Sequence, residues 1–314
     1  MLDELSRRVR TVLRPRRRAL ALLRIRAVWR GYRRERDLLA REHYELTICA
    51  IFREEAPNLD EWVRFHEGVG VSKFYLYNNF STDNFREVLA PYVARGLVDL
   101  VDWPVSLGKV AAYADCVRRR ADEARWIALI DVDEFLFSPV QTDIRPILRG
   151  YADMPGLLVH SPFFGANGHA ERPAGPLVRA FTRRAPLSLW RVKTIVNPRF
   201  VRSVDVHRSE YIRGEALGTD RRRLGDTKAP VLDRLRLNHY WSRSFADLEI
   251  KIARGDASTP KRRDRAWHYN FEAGLNDEED QSILPVADAI LARPTHQDRR
   301  ADRRASSGPR SSTS

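Results

Sequence analysis

Cysteine is nearly absent: the 314 residues contain only Cys49 and Cys116, each among apolar neighbours. Two such residues supply neither a disulfide framework nor a clustered metal site. Both therefore read as small buried hydrophobes, and a reducing compartment is expected. Long apolar runs are missing too. The longest near the start, Ala19 to Leu23, is broken by Arg24 and Arg26. It is too short for a signal-peptide core and far too short to span a bilayer. A cytoplasmic protein is expected. Net charge is also missing from the middle of the chain. The total of +13 invites a nucleic-acid reading. Residues 1–41, however, hold 14 Arg against Asp3, Glu4, Glu35 and Asp37, and residues 293–314 hold 6 Arg against Asp298 and Asp302, which leaves −1 for residues 42–292. The core is nearly neutral, and no nucleic-acid partner is expected for it.

The ends divide the chain. Residues 1–43 mix Arg with Leu, Val, Ile and Trp29, interrupted by Pro15. Such a segment can lie as a basic amphipathic helix on an anionic membrane, here the inner face of the plasma membrane, or remain a solvated extension. Residues 286–314, poor in apolar side chains from Arg293 on, read as a disordered basic tail. Between them, residues 44–285 read as one domain, with halves 44–138 and 139–285.

The first half alternates regularly. Strands are expected at Glu45–Phe52, Lys73–Tyr77, Leu97–Val101 and the apolar run Trp126–Ile130. Helices fall between them. One opens at Asn58 with Glu61 three residues on, as in a capping box, and carries Leu59, Trp62, Val63 and His66 on one face. A second follows a cap at Thr82 or Asp83, and a third covers Val110–Ala124. Strand–helix alternation with right-handed crossovers gives an α/β fold, a mostly parallel sheet with helices on both faces. The second half is irregular, with strands expected at Gly156–His160, Lys193–Asn197 and Arg234–Trp241. Short helices are expected at Asp143–Tyr151 and from Ser244, where Lys251 and Arg254 share a face.

Every parallel strand ends in polar residues: Arg53 and Glu54, Asn78 and Asp83, Asp102, then Asp131 and Asp133. Those ends line one sheet edge, where open α/β sheets put their ligands. Clustered carboxylates repel one another after a buried strand, and a divalent cation would neutralise them. An Asp-x-Asp there suits a sugar-nucleotide transferase whose acids hold a metal on the donor diphosphate. It also suits a phosphatase in which the first Asp attacks phosphate. Phe135 stands where the phosphatase pattern has Thr or Val, and the motif follows the fourth strand rather than the first. Both points favour the transferase. A non-enzymatic binder of nucleic acid or anionic membrane, acting through the Arg-rich ends, is the other alternative.

The segment ICAIFREEAPNLDEWVRFHEGVGVSKFYLYNNFSTDNF, then WIALIDVDEFLF, FFGANGH, KTIVNP, VHR and NHYWSRS, resembles bacterial glycosyltransferases of the family 2-like and family 92-like groups. The resemblance covers roughly Glu45 to Gly255. It implies a GT-A fold with an acceptor half in the irregular region, a nucleoside-diphosphate sugar donor, Mn²⁺ or Mg²⁺, and inversion at the anomeric carbon. A cell-surface glycan or glycolipid is the expected acceptor. Carried onto this chain, Asp131 contacts the donor ribose or the metal, Asp133 is the main metal ligand, and His239 completes the set, with His207 as the alternative. Glu54, Asn78 and Asp83 surround the nucleoside, Asn78 standing where relatives often have Asp. Lys109, in place of a common Gln, reaches a phosphate, and Lys193, Lys251 and Arg254 hold the diphosphate. The base that deprotonates the acceptor is assigned to Asp205, beside His207. Each residue also has a structural reading: Glu54 and Asp83 as helix caps, the histidines as bonded core residues, Lys251 and Arg254 as a solvated face, and Tyr240 and Trp241 as core.

Overall fold

The computed structural model describes residues 43–255 and 263–292. The basic extension therefore lies outside the described residues except for His43, as does the Arg-rich end from Arg293. From Tyr44 the chain runs β1 (Tyr44–Phe52), α1 (Ala56–Gly68), β2 (Lys73–Asn78), α2 (Phe85–Ala94), β3 (Val98–Asp102), α3 (Lys109–Arg119) and β4 (Ala124–Leu129). These four strands are parallel, in the order β3-β2-β1-β4. The chain thus leaves β1 toward β3 and returns on the other side of β1. The crevice at such a reversal, between the ends of β1 and β4, is where α/β sheets bind ligands.

Both faces of the sheet are covered. Leu59, Trp62, Val63 and Phe65 of α1 pack on one, with Leu46, Ile48, Phe74 and Trp126. Ala112, Tyr113, Cys116 and Val117 of α3 pack on the other, with Cys49, Ile51 and Tyr75. Both cysteines are free and buried, as expected of small apolar residues.

The second half continues as β5 (Glu134–Phe137), α4 (Arg145–Arg149), β6 (Gly156–Phe164), α5 (Leu177–Ala180), β7 (Arg183–Arg184), β8 (Trp190–Val196), β9 (Val201–Ser203), β10 (Glu210–Tyr211), β11 (Leu217–Gly218), β12 (Arg236–Tyr240), α6 (Phe245–Arg254), α7 (Arg265–Ala273), β13 (Glu278–Glu279) and α8 (Leu284–Leu291). β8 joins β4 and β6 antiparallel, and β12 joins β5 antiparallel and β6 parallel. The sheet is therefore parallel only in its first half and mixed overall. Among the described residues, no helix is long and apolar enough to cross a membrane.

Several boundaries differ from expectation for identifiable reasons. α1 begins at Ala56, two residues before Asn58, because the Asp83 carboxylate accepts from the Ala56 N–H at 2.8 Å. Asp83 thus caps the preceding helix rather than the following one, and Asn84 occupies the cap of α2. Glu61 is no capping-box partner; its carboxylate accepts from the Leu177 and Val178 N–H groups at the start of α5. α3 stops at Arg119, since Ala124 already pairs with Tyr44 in β4. The domain does not end at 285. α8 buries Val286, Ala287 and Ile290, and a side chain at Gly68 of α1 would collide with Ile290.

His66 links α1 to β5. Its Nε2 accepts from the Leu136 N–H at 3.0 Å, so the proton sits on Nδ1 and is donated to the Trp62 carbonyl at 2.8 Å. Burial pushes the imidazole pKa down to about 3 from an ordinary 6.5. Between those values the unfolded chain binds the extra proton. The stabilisation is complete above pH 6.5 and falls by up to about 1.4 kcal/mol per pH unit toward pH 3. Urea unfolding at pH 7, 5.5 and 4 should show this loss, and His66→Gln should flatten it. An unchanged slope in the variant would rule out this assignment.

Candidate active site

Strand register assembles the site. Leu129 pairs with Thr194, which places Lys193 beside the chain as β4 runs into Asp131. The Lys193 ammonium lies 2.7 Å from Asp131 Oδ2 and 3.1 Å from Glu134 Oε2. Lys109, the first residue of α3, reaches Asp131 Oδ1 at 2.6 Å, and the Tyr113 hydroxyl donates to the same oxygen at 3.3 Å. Burial alone would raise the Asp131 pKa, but the two ammonium groups outweigh it and hold this carboxyl far below its usual range. Asp131 is therefore a permanently ionised acceptor whose oxygens are largely committed to protein donors.

Asp133 has different surroundings. Lys251 of α6 donates to its Oδ2 at 2.9 Å, and His239 Nε2 lies 3.4 Å from the same atom. Burial opposes its ionisation, and Lys251 and His239 overcome that, so it too stays ionised. His239 stands opposite Glu134 in the β5–β12 ladder, with Nδ1 3.4 Å from Glu134 Oε1. That oxygen is buried and has no hydrogen-bond partner among the described residues, while Oε2 accepts from the Asp131 N–H at 2.8 Å. Burial raises the Glu134 pKa, and the attraction of Lys193 does not fully offset it. Glu134 thus stands behind one imidazole nitrogen without a hydrogen bond to it, while the other nitrogen faces Asp133.

Among the described residues, no group of three or more His, Cys, Asp or Glu side chains is arranged to hold a metal by itself. Asp133 and His239 would supply two ligands to a cation placed between them. That suits a cation whose remaining positions are filled by phosphate oxygens, as with Mg²⁺ and its relatives. Asp131, expected at the donor ribose or the metal, is paired with Lys109 and Lys193.

The other expected residues divide. Glu54 has a left-handed backbone, φ 53°, and its carboxylate accepts from the Thr82 N–H at 2.8 Å. With Asp83 on the Ala56 N–H, these two tie the end of β1 to the loop after β2. Asn78 donates to Asp102 at 3.0 Å and accepts from the Ser81 N–H at 3.0 Å, shaping that loop at the edge of the site. Arg254 is bound to Glu55 and to the Arg53 carbonyl, so it and Lys251 are not a solvated face. Asp205 is exposed between β9 and β10, and its hydrogen bond is to the Val206 N–H; none connects it to Asp131 or Asp133. His207 is closer to the chemistry. Its Nδ1 faces the Val192 carbonyl at 3.1 Å, and burial together with the Lys193 and Lys109 charges lowers its pKa. Tyr240 is core, while Trp241 is half-buried with the Lys251 ammonium 4.8 Å from its ring centre.

Sequence reasoning gave Glu55 and Arg243 no role, and Glu134 none beyond membership of the acidic cluster after the fourth strand. Glu55 is buried between Arg243 at 2.9 Å and Arg254 at 2.5 Å; burial opposes its ionisation, and the two guanidinium groups lower its pKa regardless. Glu134 directly follows the Asp-x-Asp, and Arg243 lies within NHYWSRS, so both were visible as residues. Their pairing was not.

Comparison with known proteins identifies the domain. Residues 44–273 match the model of glycosyltransferase family 92. A family 92 protein of Oryza sativa subsp. japonica is 30% identical over 164 residues, covering 50% of this chain and 28% of the relative. One of Ricinus communis is 28% identical over 174 residues, covering 54% and 31%. The galactan beta-1,4-galactosyltransferase GALS2 of Arabidopsis thaliana is 22% identical over 202 residues, covering 58% and 39%. The chain thus spans about three-tenths of the first two relatives. The solved structure of S. aureus TarS 1-349 with UDP-GlcNAc aligns over 79% of this chain and 71% of that one, at 11% identity and a TM-score of 0.38. These curated relatives are plant proteins, so the bacterial attribution suggested by the motifs has no support. The chain belongs to glycosyltransferase family 92.

Proposed function

We propose that this chain transfers a sugar from a nucleoside-diphosphate donor to a glycan or glycolipid acceptor, with inversion and with Mn²⁺ or Mg²⁺. The observation that carries this reading is the Asp133–His239 pair, backed by Glu134, at the reversal point of a family 92 sheet. A named galactan galactosyltransferase among the relatives supports a hexose as the sugar and a polysaccharide as the acceptor. Asp133 and His239 Nε2 would hold the cation, which when bound offsets charge growing on the departing nucleoside diphosphate. Glu134, 3.4 Å from Nδ1, favours the proton on that nitrogen and so leaves Nε2 to face that position. Lys251 and Arg254 lie beside the diphosphate. Asp131, kept ionised by Lys109 and Lys193, accepts hydrogen bonds from donor hydroxyls. Glu54, Asn78 and Asp83 shape the loop on which the nucleoside rests.

The acceptor hydroxyl must lose its proton as the anomeric carbon is attacked. Asp205 is the proposed base: it is exposed and two residues from His207, whose ring feels the Lys193 and Lys109 charges. Wild type should turn over a nucleotide sugar with Mn²⁺ and an oligosaccharide acceptor. Asp205→Asn should lose roughly 10²- to 10⁴-fold in kcat while binding the donor normally. Undiminished kcat would remove Asp205 from this role, and no turnover of any nucleotide sugar by wild type would contradict the function.

A further inference from the structure

The residue just before the cap of α6 is the least satisfied cation near the site. Arg243 is 6% exposed, and its backbone is left-handed at φ 57°. Only glycine, and sometimes Asn or Asp, adopts that conformation cheaply. The surroundings enforce it. Ser244 and Asp247 form a reciprocal capping box that fixes the start of α6, and Nη1 of Arg243 lies 2.9 Å from Glu55 Oε2. The opposite edge of the guanidinium, Nε with Nη2, is buried and has no hydrogen-bond partner among the described residues.

That edge carries two parallel N–H groups, the fork that grips a carboxylate or phosphate through two oxygens. The same protein uses it elsewhere. Arg149 places Nε and Nη2 on the two oxygens of Glu45 at 2.6 and 2.7 Å, and Arg172 does so on Asp247 at 3.3 and 2.7 Å. Among the described residues, no carboxylate remains to fill it at Arg243. Glu55 is shared with Arg254, Asp133 is bound by Lys251, and Asp247 is held by Arg172 and Ser244. Glu54 is turned to Thr82. Two unpaired donors on a buried cation are costly unless something else accepts from them. Arg243 lines a pocket with Lys251, Arg254, Trp241, Glu54 and Asp247, and Lys251 also binds Asp133.

We propose that the free edge of Arg243 is an anion fork that takes two oxygens of the donor's diphosphate, with Glu55 as its positioning residue. This deepens the donor reading above and rests on it. The fork fixes the orientation of the phosphate, which Lys251, a point charge, does not. Arg254 contributes charge but is tied to Glu55 and the Arg53 carbonyl.

Calorimetric titration of the full chain in EDTA with inorganic pyrophosphate tests this without a metal or a chosen base. Arg243→Gln removes the charge; Arg243→Lys keeps the ion pair with Glu55 and so preserves folding, checked by melting temperature. Wild type should bind pyrophosphate, and both variants should bind it roughly tenfold or more weakly, because lysine cannot supply the fork. A folded Arg243→Lys with wild-type affinity, or a wild type that binds no pyrophosphate, overturns the inference. A parallel titration with UDP- and GDP-sugars separates it from the wider reading. Pyrophosphate bound through Arg243 with no nucleotide sugar bound leaves the fork and removes the donor. Nucleotide sugar bound equally by wild type and Arg243→Lys does the reverse.

Discussion

Asp133→Asn is expected to lower sugar transfer by about 10³-fold or more while leaving a folded protein. The substitution keeps the volume but removes the charge to which Lys251 and His239 are both directed. An amide is a poor ligand for a divalent cation, and one lost electrostatic contact to a developing charge costs about 10²- to 10³-fold. Here the same change disturbs both the proposed cation and the lysine beside the diphosphate. Lys251 retains the Trp241 carbonyl at 2.8 Å, so its ammonium is not stranded and unfolding should shift little. Steady-state transfer with Mn²⁺ saturating measures the effect. Activity within tenfold of wild type would remove Asp133 from the centre of the site.

Lys193→Ala should have the largest effect on stability, a loss of about 3–5 kcal/mol. Its side chain is 3% exposed and lies between Asp131 and the fully buried Glu134. Breaking a buried pair by removing one partner leaves an uncompensated charge, which costs far more than the intact pair contributes. Lys109 still neutralises Asp131, so the stranded group is Glu134, already pushed toward its neutral form by burial. Adding Glu134→Gln to Lys193→Ala should therefore recover a large share of the loss. Urea unfolding at pH 7 measures both variants. A loss under about 1 kcal/mol for Lys193→Ala would mean that water or another cation already serves Glu134.

Much of the donor half was legible because local pattern and long-range structure agree there. The stripe Leu59, Trp62, Val63 on α1 and the apolar run before Asp131 each fix an element, and alternation fixes the parallel order. Caps were less legible. Asp83 and Glu61 have the side chains of local caps, but both are used across the fold, on Ala56 and on α5. Nothing in their spacing separates the two uses. The site shows the same limit. Asp131, Asp133 and Lys109 stand at readable strand and helix ends. Lys193, His239 and Lys251 come together through the antiparallel registers of β8 and β12 and the turn into α6. That part of the chain is irregular, and a one-residue strand slip would point the Lys193 or His239 side chain to the other face. Family likeness supplied those three. Neither spacing nor likeness revealed that Lys193 would hold Asp131, that Glu134 would stand behind His239, or that Glu55 would anchor two arginines.

Asp133 and His239, with Glu134 behind the imidazole, holding a cation against the donor diphosphate is the central claim. Thermal melting of the full chain with a panel of UDP- and GDP-sugars, each in Mn²⁺ and in EDTA, tests it most directly, because a ligand that binds only the folded state raises the melting temperature. At least one nucleotide sugar should raise it in Mn²⁺, and EDTA, Asp133→Asn and His239→Ala should each remove most of that shift. A nucleotide-sugar shift that survives both substitutions, or no shift with any nucleotide sugar, would contradict the account.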